Sequence, residues 1–585
     1  MFDTEAGASE WNIIRLMKKL SARADAPGAI WPLPDNRCRL SLVVAVCLTV
    51  TLACANFGSA QTRPRASTTK NSKSQTLAAA KNGESRTDVA LFQARVEAAL
   101  AAERAKQGSW GVLVTDRDSG ETLYDLNSGH FFEPASNAKI FTTAFALATL
   151  GPNYQFHTTL ESKGVLGPDG RLSGDLILVG RGDPDLSNRK FPYSGKVERE
   201  GPVEKILEEM ADAAVAKGLK EVDGNIIGDD SYFPYDPYPE GWSAGDLYFG
   251  FGAPVSAIVF NDNTISIVTQ SGERVGDPAI LSTLPAAASR TYGHEVTTVA
   301  ANLQPDFAVV RRPGTNYLLF RGAMPLGHAP VALDFAMMDP AQVAADSLKQ
   351  LLEERGVRVT GSASAQHGPP PVRSQSGTLL QTAEPTPAMP EPNPLILAEH
   401  VSLPLLESIR LTNKISQNLH AEIFLRTVAR EKTGTGSIDE GLKLEQQFLR
   451  TAGIADGDVV LTDGSGLARD DLVTPRAAER LLRYASSQSW GKDFLATLPV
   501  SGVDGTLDNR MQDSRAAGLI EAKTGSTEHV HALSGYATTL RGESLIFSIF
   551  GNNDTQKAHD ASVTVDAIAA AMIETLGPPT HPKKK

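Results

Sequence analysis

The chain has 585 residues, of which 41% are hydrophobic, enough for roughly three or four domains with substantial cores, and this excludes a disordered polymer. Its 56 basic and 68 acidic residues leave a formal charge of −12, which gives no electrostatic footprint for nucleic acid and argues against an anionic membrane surface; a neutral or cationic substrate suits it better. All three cysteines, Cys38, Cys47 and Cys54, fall in the first 54 residues, which excludes a disulfide, a thiolate metal site or a cysteine nucleophile downstream.

The leader holds those cysteines. From Leu40 to Gln61 the run LSLVVAVCLTVTLACANFGSAQ carries no charge, follows Arg37 and Arg39, and ends in small residues, with Gly58 and Ala60 at a signal-peptidase-like spacing. Residues 1–60 therefore read as an export signal cleaved near Ala60. An uncleaved membrane anchor and a lipid-modified Cys54 compete with that reading; the latter lacks the leucine expected three residues before the cysteine. Asp3, Glu5 and Glu10 lengthen the basic end and leave open a start at Met17 or later.

Residues 61–88 are polar, rich in Ser, Thr and Lys, and without apolar period, as in a flexible tether. From Val89, VALFQARVEAALAAERAKQ has helical spacing, SWGVLVTDRDSGETLYDLNSG reads as two strands joined by an Asp-Ser-Gly turn, and PASNAKIFTTAFALATL opens a helix. Over 156–368 short strands are separated by Gly, Pro and Asp, with helices at GPVEKILEEMADAAVAKGL and PAQVAADSLKQLLEERG. This β-rich region reads as two domains. Residues 369–394 form a Pro-rich loop too polar to pack.

Beyond the loop, LPLLESIRLTNKISQNLHAEIFLRTVAREK and TPRAAERLLRYASSQ are helical, GLIEAKTG, HALSGYATTL and SLIFSIFGN read as antiparallel strands, and an amphipathic helix runs from about Ala558 to Leu576. Strands near residues 110 and 520 in one sheet would make 89–155 plus 395–580 a single discontinuous domain and the middle an insertion. The 11 histidines include no His-Glu-x-x-His spacing. His529 and His531, two apart in a strand-like run, read as one face of a sheet. No metal and no cofactor is expected.

Ser136 and Lys139 stand three positions apart where the third of these early elements begins. They read either as a cap residue with a lysine on a solvated face, or as a nucleophile with its base one turn along. Lysine serves as a base when burial or a second cation lowers its pKa. Lys523, in EAKTGSTEHV, is a candidate second cation on a strand, ahead of Gly525, which lets a ligand backbone approach closely. KISQN places Ser416 and Asn418 in a break between helical stretches, a hydroxyl able to relay a proton and an amide able to bind a substrate carbonyl. Helix capping and a strand-end turn are the plain alternatives for these two triplets. Ser-x-x-Lys, Ser-x-Asn and Lys-Thr-Gly in this order form the set found in β-lactamases and penicillin-binding proteins.

Ser136 and Ser416 are 280 positions apart, too far for a compact class A β-lactamase. In these motifs the chain resembles the class C low-molecular-mass penicillin-binding proteins, the D-alanyl-D-alanine carboxypeptidase/endopeptidase group of peptidase family S13. GDLILVGRGDPDLS, GNIIGDDSYF, GWSAGDLYFGFGAPVSAIVFNDN, LTDGSGLARDDLVTP and LPVSGVDGTL extend the similarity, which spans about residues 89–575. The resemblance implies an α+β fold, a penicilloyl-serine transferase domain with an antiparallel sheet and a helical lobe, split by inserted domains. It also implies a periplasmic, cofactor-free enzyme acting on peptidoglycan stem peptides and acylated by β-lactams, with membrane contact only through an uncleaved N-terminal segment.

Carried over by motif, Ser136 is acylated by the penultimate D-Ala carbonyl and Lys139 takes its proton. Ser416 passes the proton to the leaving group and Asn418 holds the substrate amide. Lys523 and Thr524, with Gly525, bind the terminal carboxylate, and the backbone N–H groups of Ser136 and Ser526 form the oxyanion hole. For the acid that meets a diaminopimelate amine, Asp229 in GDDSYF matches best, with a turn role for it and for Asp230 equally open.

Two features depart from the family pattern. The middle motif is Ser-Gln-Asn, whose central position points away from the reaction, and STEHVHALSGY brings two histidines after Lys-Thr-Gly. A β-lactamase is the competing enzyme, but no Glu-x-x-x-Asn-like element stands between Ser416 and Lys523. A silent wall-binding or β-lactam-sensing module is the competing non-enzyme, and the intact polar set argues against it.

Overall fold

The computed structural model describes residues 86–577 apart from 194, 196–198, 200, 312–316, 372–392 and 554–557. The stretches read as an export signal and a tether, up to residue 85, and most of the stretch read as a Pro-rich loop lie outside the described residues.

SWGVLVTD at Ser109–Asp116 and SLIFSIFGN at Ser544–Asn552 lack the polar alternation of a half-solvated strand, because both of their faces are covered. They are neighbours in a five-stranded antiparallel sheet of order Thr122–Leu126, Ser109–Asp116, Ser544–Asn552, Val530–Thr538, Ile520–Thr527. Side chains alternate along each strand, so Leu545, Phe547 and Ile549 pack with the helices Thr87–Leu100 and Ala558–Thr575. Ile546 and Phe550 pack with Lys139–Leu150, Asn418–Thr433 and Pro475–Ser487 on the other face. The first hairpin turns at the expected Asp-Ser-Gly: Asp116 Oδ1 accepts from Ser119 N at 2.6 Å and Gly120 takes φ +76°.

Strands from both ends of the chain thus share one sheet, and the stretch between them builds sheets of its own within the same compact unit. Its sheets include parallel pairs, such as Leu176–Val179 with Ile226–Asp229 and Tyr292–Val299 with Leu318–Pro325. Two differences from the sequence reading follow. Leu395–Val401, expected with the catalytic domain, pairs antiparallel with His157–Ser162 and completes a sheet of the inserted region. The insertion, read as two domains, shares one contiguous apolar core that runs from Leu160 through Phe320 and Leu352 to Ala398. A third difference concerns the histidines. His529 sits at φ +64° in the two-residue turn between Ile520–Thr527 and Val530–Thr538, while His531 lies buried within the latter strand, so they do not line one face. Burial pushes His531 down to about 4, which keeps it neutral.

Candidate active site

Pro134 leads into a single 3-10 turn, Ala135–Ala138, from which the helix Lys139–Leu150 continues. In a 3-10 turn the side chains of residues i and i+3 eclipse, so Lys139 falls directly over Ser136, with Nζ 2.8 Å from Oγ. The N-cap position belongs to Ala138 and no side chain caps the helix, which removes the capping alternative for Ser136. Two glycines pinch this turn from either side. At Gly466, φ +77°, a Cβ would collide with the Ala135 carbonyl oxygen. At Gly525 it would collide with the Pro134 oxygen and lie 2.9 Å from Asn137 N. The close approach at Gly525, expected from a ligand backbone, is therefore made by the chain's own nucleophile turn.

Lys139 is fully buried, and besides Ser136 its Nζ donates to Asn418 Oδ1 at 2.5 Å and to the backbone oxygen of Ser465 at 2.7 Å. Ser416 closes the helix Leu405–Ile415 in the left-handed conformation, φ +64°, a strained position for a non-glycine residue and one that recurs at functional sites. Gln417 caps the following helix through Leu419 N at 3.0 Å. The middle residue of Ser-Gln-Asn thus does the capping and leaves its two neighbours for other work. Asn418 Nδ2 donates to the carbonyl of Phe251 at 2.8 Å.

Lys523, also fully buried, donates from Nζ to Ser416 Oγ at 3.0 Å and to its neighbour's carbonyl at Thr524 at 2.9 Å. Thr524 Oγ1 lies 2.8 Å from Thr506 Oγ1. Asn137, next to the nucleophile, donates to the Lys523 backbone oxygen at 2.8 Å. Ser526 is exposed on Ile520–Thr527, the edge strand of the sheet, where an extended chain can pair. The structure therefore gathers Ser136, Lys139, Ser416, Asn418, Lys523 and Thr524 at one junction of helix and edge strand.

Asp229 is not drawn into that junction by its hydrogen bonds: Oδ1 accepts from Ser231 N and Oδ2 from Gln366, both at 2.9 Å and both within the inserted region. Asp230 is buried and accepts from Ser256 and His367. Asp246 is half-buried and pushed up by burial, with Arg469 and Glu528 as its charged neighbours. Arg469 in turn donates to Thr527 Oγ1 at 2.9 Å at the end of the Lys-Thr-Gly strand. Behind the lysine lies a group of buried acids. Burial, then the charge of Asp463, pushes Glu422 up to about 7; burial likewise pushes Glu445 up to about 8 and Asp471 well above the carboxylate range.

The motifs gave the side chains but missed Asn137, Thr506, the Ser465 carbonyl and Asp246. Each of these positions lies inside a quoted segment, LTDGSGLARDDLVTP, LPVSGVDGTL, GWSAGDLYFGFGAPVSAIVFNDN or PASNAKIFTTAFALATL, but nothing in the residue types singled it out. Among the described residues no group of His, Cys, Asp and Glu is arranged to hold a metal ion.

Known proteins supply an independent comparison. The profile of the D-Ala-D-Ala carboxypeptidase 3 (S13) family matches residues 92–572. A D-alanyl-D-alanine carboxypeptidase from Actinomadura sp. (strain R39) is 33% identical, over 80% of this chain and 81% of that one. The carboxypeptidase DacB of Haemophilus influenzae is 27% identical, over 76% of this chain and 85% of its own length. The crystal structure of penicillin binding protein 4 (dacB) from Haemophilus influenzae superposes with a TM-score of 0.66 at 24% identity, covering 82% of this chain and 98% of that one.

Proposed function

The chain belongs to the D-Ala-D-Ala carboxypeptidase (S13) family and is a serine-type D-Ala-D-Ala carboxypeptidase, and from that membership we propose how the cluster around Ser136 carries the reaction. Ser136 Oγ attacks the carbonyl carbon of the penultimate D-Ala of a peptidoglycan stem peptide while its proton passes to Lys139 Nζ. The observation that carries this is the placement of Nζ: Lys139 is fully buried, its Nζ stands 2.8 Å from Ser136 Oγ, and Asn418 Oδ1 and Ser465 O, which can only accept, orient it there.

The bond to the leaving nitrogen then breaks as that nitrogen takes a proton through the Ser416 hydroxyl, which Lys523 holds at 3.0 Å. Lys523 and Thr524 bind the terminal carboxylate, and the N–H groups of Ser136 and Ser526 face the oxyanion. Asn418 spends one N–H on Phe251 and has a second for the substrate carbonyl. Water cleaves the ester and regenerates Ser136. When the leaving nitrogen belongs to a second stem peptide, the same acylation cuts a cross-link. A β-lactam is opened by the same attack, but its nitrogen stays attached to the acyl group and the adduct persists.

For a cationic stem-peptide side chain, Asp246 takes the role expected of Asp229, whose carboxylate accepts from Ser231 and Gln366 within the inserted region. Peptidoglycan lies outside the inner membrane, and the uncharged run after Arg37 and Arg39 supports a cleaved signal and a periplasmic enzyme. No helix among the described residues is long and apolar enough to cross a membrane; membrane contact is proposed only through an uncleaved N-terminal segment. Nitrocefin separates this reading from a β-lactamase: a single burst equal to the enzyme concentration is expected, and sustained rapid turnover would overturn it.

A further inference from the structure

The aim of Lys139 Nζ at Ser136 depends on where Asn418 Oδ1 and Ser465 O are held, and both holders reach into the inserted region. An Asn418 amide rotated by half a turn would point Nδ2 at Lys139; the bond from Nδ2 to Phe251 O, 167 positions away in sequence, fixes it the other way. The Ser465 carbonyl is fixed by Asp463, which is fully buried. Asp463 Oδ1 accepts from Ser465 N at 3.0 Å and Gly466 N at 2.6 Å. Its Oδ2 accepts from Ser465 Oγ and Leu467 N at 3.0 Å, from Ala468 N at 2.9 Å and from Trp242 Nε1 at 2.8 Å.

Five of these six bonds wind the turn around its own carboxylate. The sixth, from the indole, ties the turn to the insertion. Contact continues alongside it: Arg469 N donates to Gly241 O at 3.3 Å, and a Cβ on Gly241 would sit 3.1 Å from Ala468 Cβ.

We propose that the stretch Trp242–Phe251 of the inserted region, acting with Asp463, positions the general base, so that Trp242 and Asp463 are positioning residues for acylation although neither is placed against the reacting atoms. The insertion then does more than extend the substrate surface, because it supplies the Phe251 carbonyl that fixes the Asn418 amide and the Trp242 N–H that completes the bonds to Asp463. The proposal rests on Lys139 as the base.

Trp242→Phe keeps the ring and removes only the N–H donor. Stopped-flow acylation of the full-length protein by benzylpenicillin separates the non-covalent dissociation constant from the first-order acylation constant. The latter is read only on molecules that become acylated, so partial misfolding does not enter it. We expect the acylation constant to fall about tenfold with the dissociation constant unchanged, since a small misplacement of a catalytic group costs rate and not binding. Asp463→Asn, which keeps the size and weakens the acceptor, should fall at least as far. An acylation constant in Trp242→Phe within about twofold of wild type, or a loss confined to the dissociation constant, overturns the positioning role. Ser136→Ala, which must give no adduct, tests the underlying reading separately. If it is silent and Trp242→Phe reacts at the wild-type rate, only the positioning role fails.

Discussion

The side-chain amide of Asn137 donates to the backbone oxygen of Lys523 at 2.8 Å, joining residues 386 positions apart in the chain. Through this bond the turn that carries the nucleophile is fastened to the strand that carries the second cation. Asn137 is fully buried, so Asn137→Ala leaves a carbonyl without its donor in a place water does not reach. The variant should lose about 1–3 kcal/mol of stability and acylate more slowly. Urea midpoints and penicillin labelling rates both equal to wild type would contradict this.

Gly525 tests the same junction by sterics. A methyl group there meets the Pro134 oxygen and lies 2.9 Å from Asn137 N, so the edge strand or the nucleophile turn must shift. Gly525→Ala should slow acylation by on the order of a hundredfold, because a displacement near 1 Å is enough to spoil an attack geometry. A rate close to wild type would mean that Gly525 is there to admit a ligand, as the sequence alone suggested.

The buried acids make stability depend on pH with a definite sign. Glu445 titrates near 8 in the folded protein and at about 4.3 in an unfolded chain. Between these values the folded state holds the extra proton, so its contribution is fully present below the unfolded pKa and is lost as pH rises through the folded one. Glu445→Gln removes this loss. Its own packing cost is the same at both pH values, so the informative quantity is the change from pH 5 to pH 8. The variant's urea midpoint should fall less over that interval than the wild type's, and an identical fall in both would exclude a buried protonated Glu445.

Asp246 stands near the cation Arg469 and the end of the Lys-Thr-Gly strand. Asp246→Asn should raise KM for stem peptides with a free side-chain amine and leave KM for N-acetylated ones unchanged. If Asp229→Asn has that selective effect and Asp246→Asn does not, the reassignment is wrong.

How much of this was legible in the sequence follows from how local each feature is. The Ser-x-x-Lys pair spans four residues and a single 3-10 turn settles its geometry, so the pair was local enough to notice, although only its order with Ser-x-Asn and Lys-Thr-Gly told a nucleophile from a cap. The third partner of Lys139 is a backbone carbonyl, which leaves no residue-type signal at Ser465. The hold on Asn418 comes from the carbonyl of Phe251, equally silent in composition. Asp229 was hard to read because a carboxylate in a Gly-Asp-Asp run looks the same whether it faces a ligand or closes its own turn; here it accepts from Ser231. Leu395–Val401 was assigned to the wrong sheet because its apolar run is compatible with either one, and the pairing with His157–Ser162 is decided more than two hundred residues away.

The most direct test of the account is the intact mass of the wild-type protein and of Ser136→Ala after incubation with benzylpenicillin, read together with D-Ala release from a pentapeptide. The wild type should gain a single penicilloyl group and release D-Ala, and the variant should do neither. An adduct retained in Ser136→Ala, or D-Ala release that survives the substitution, would contradict the assignment of Ser136 as nucleophile.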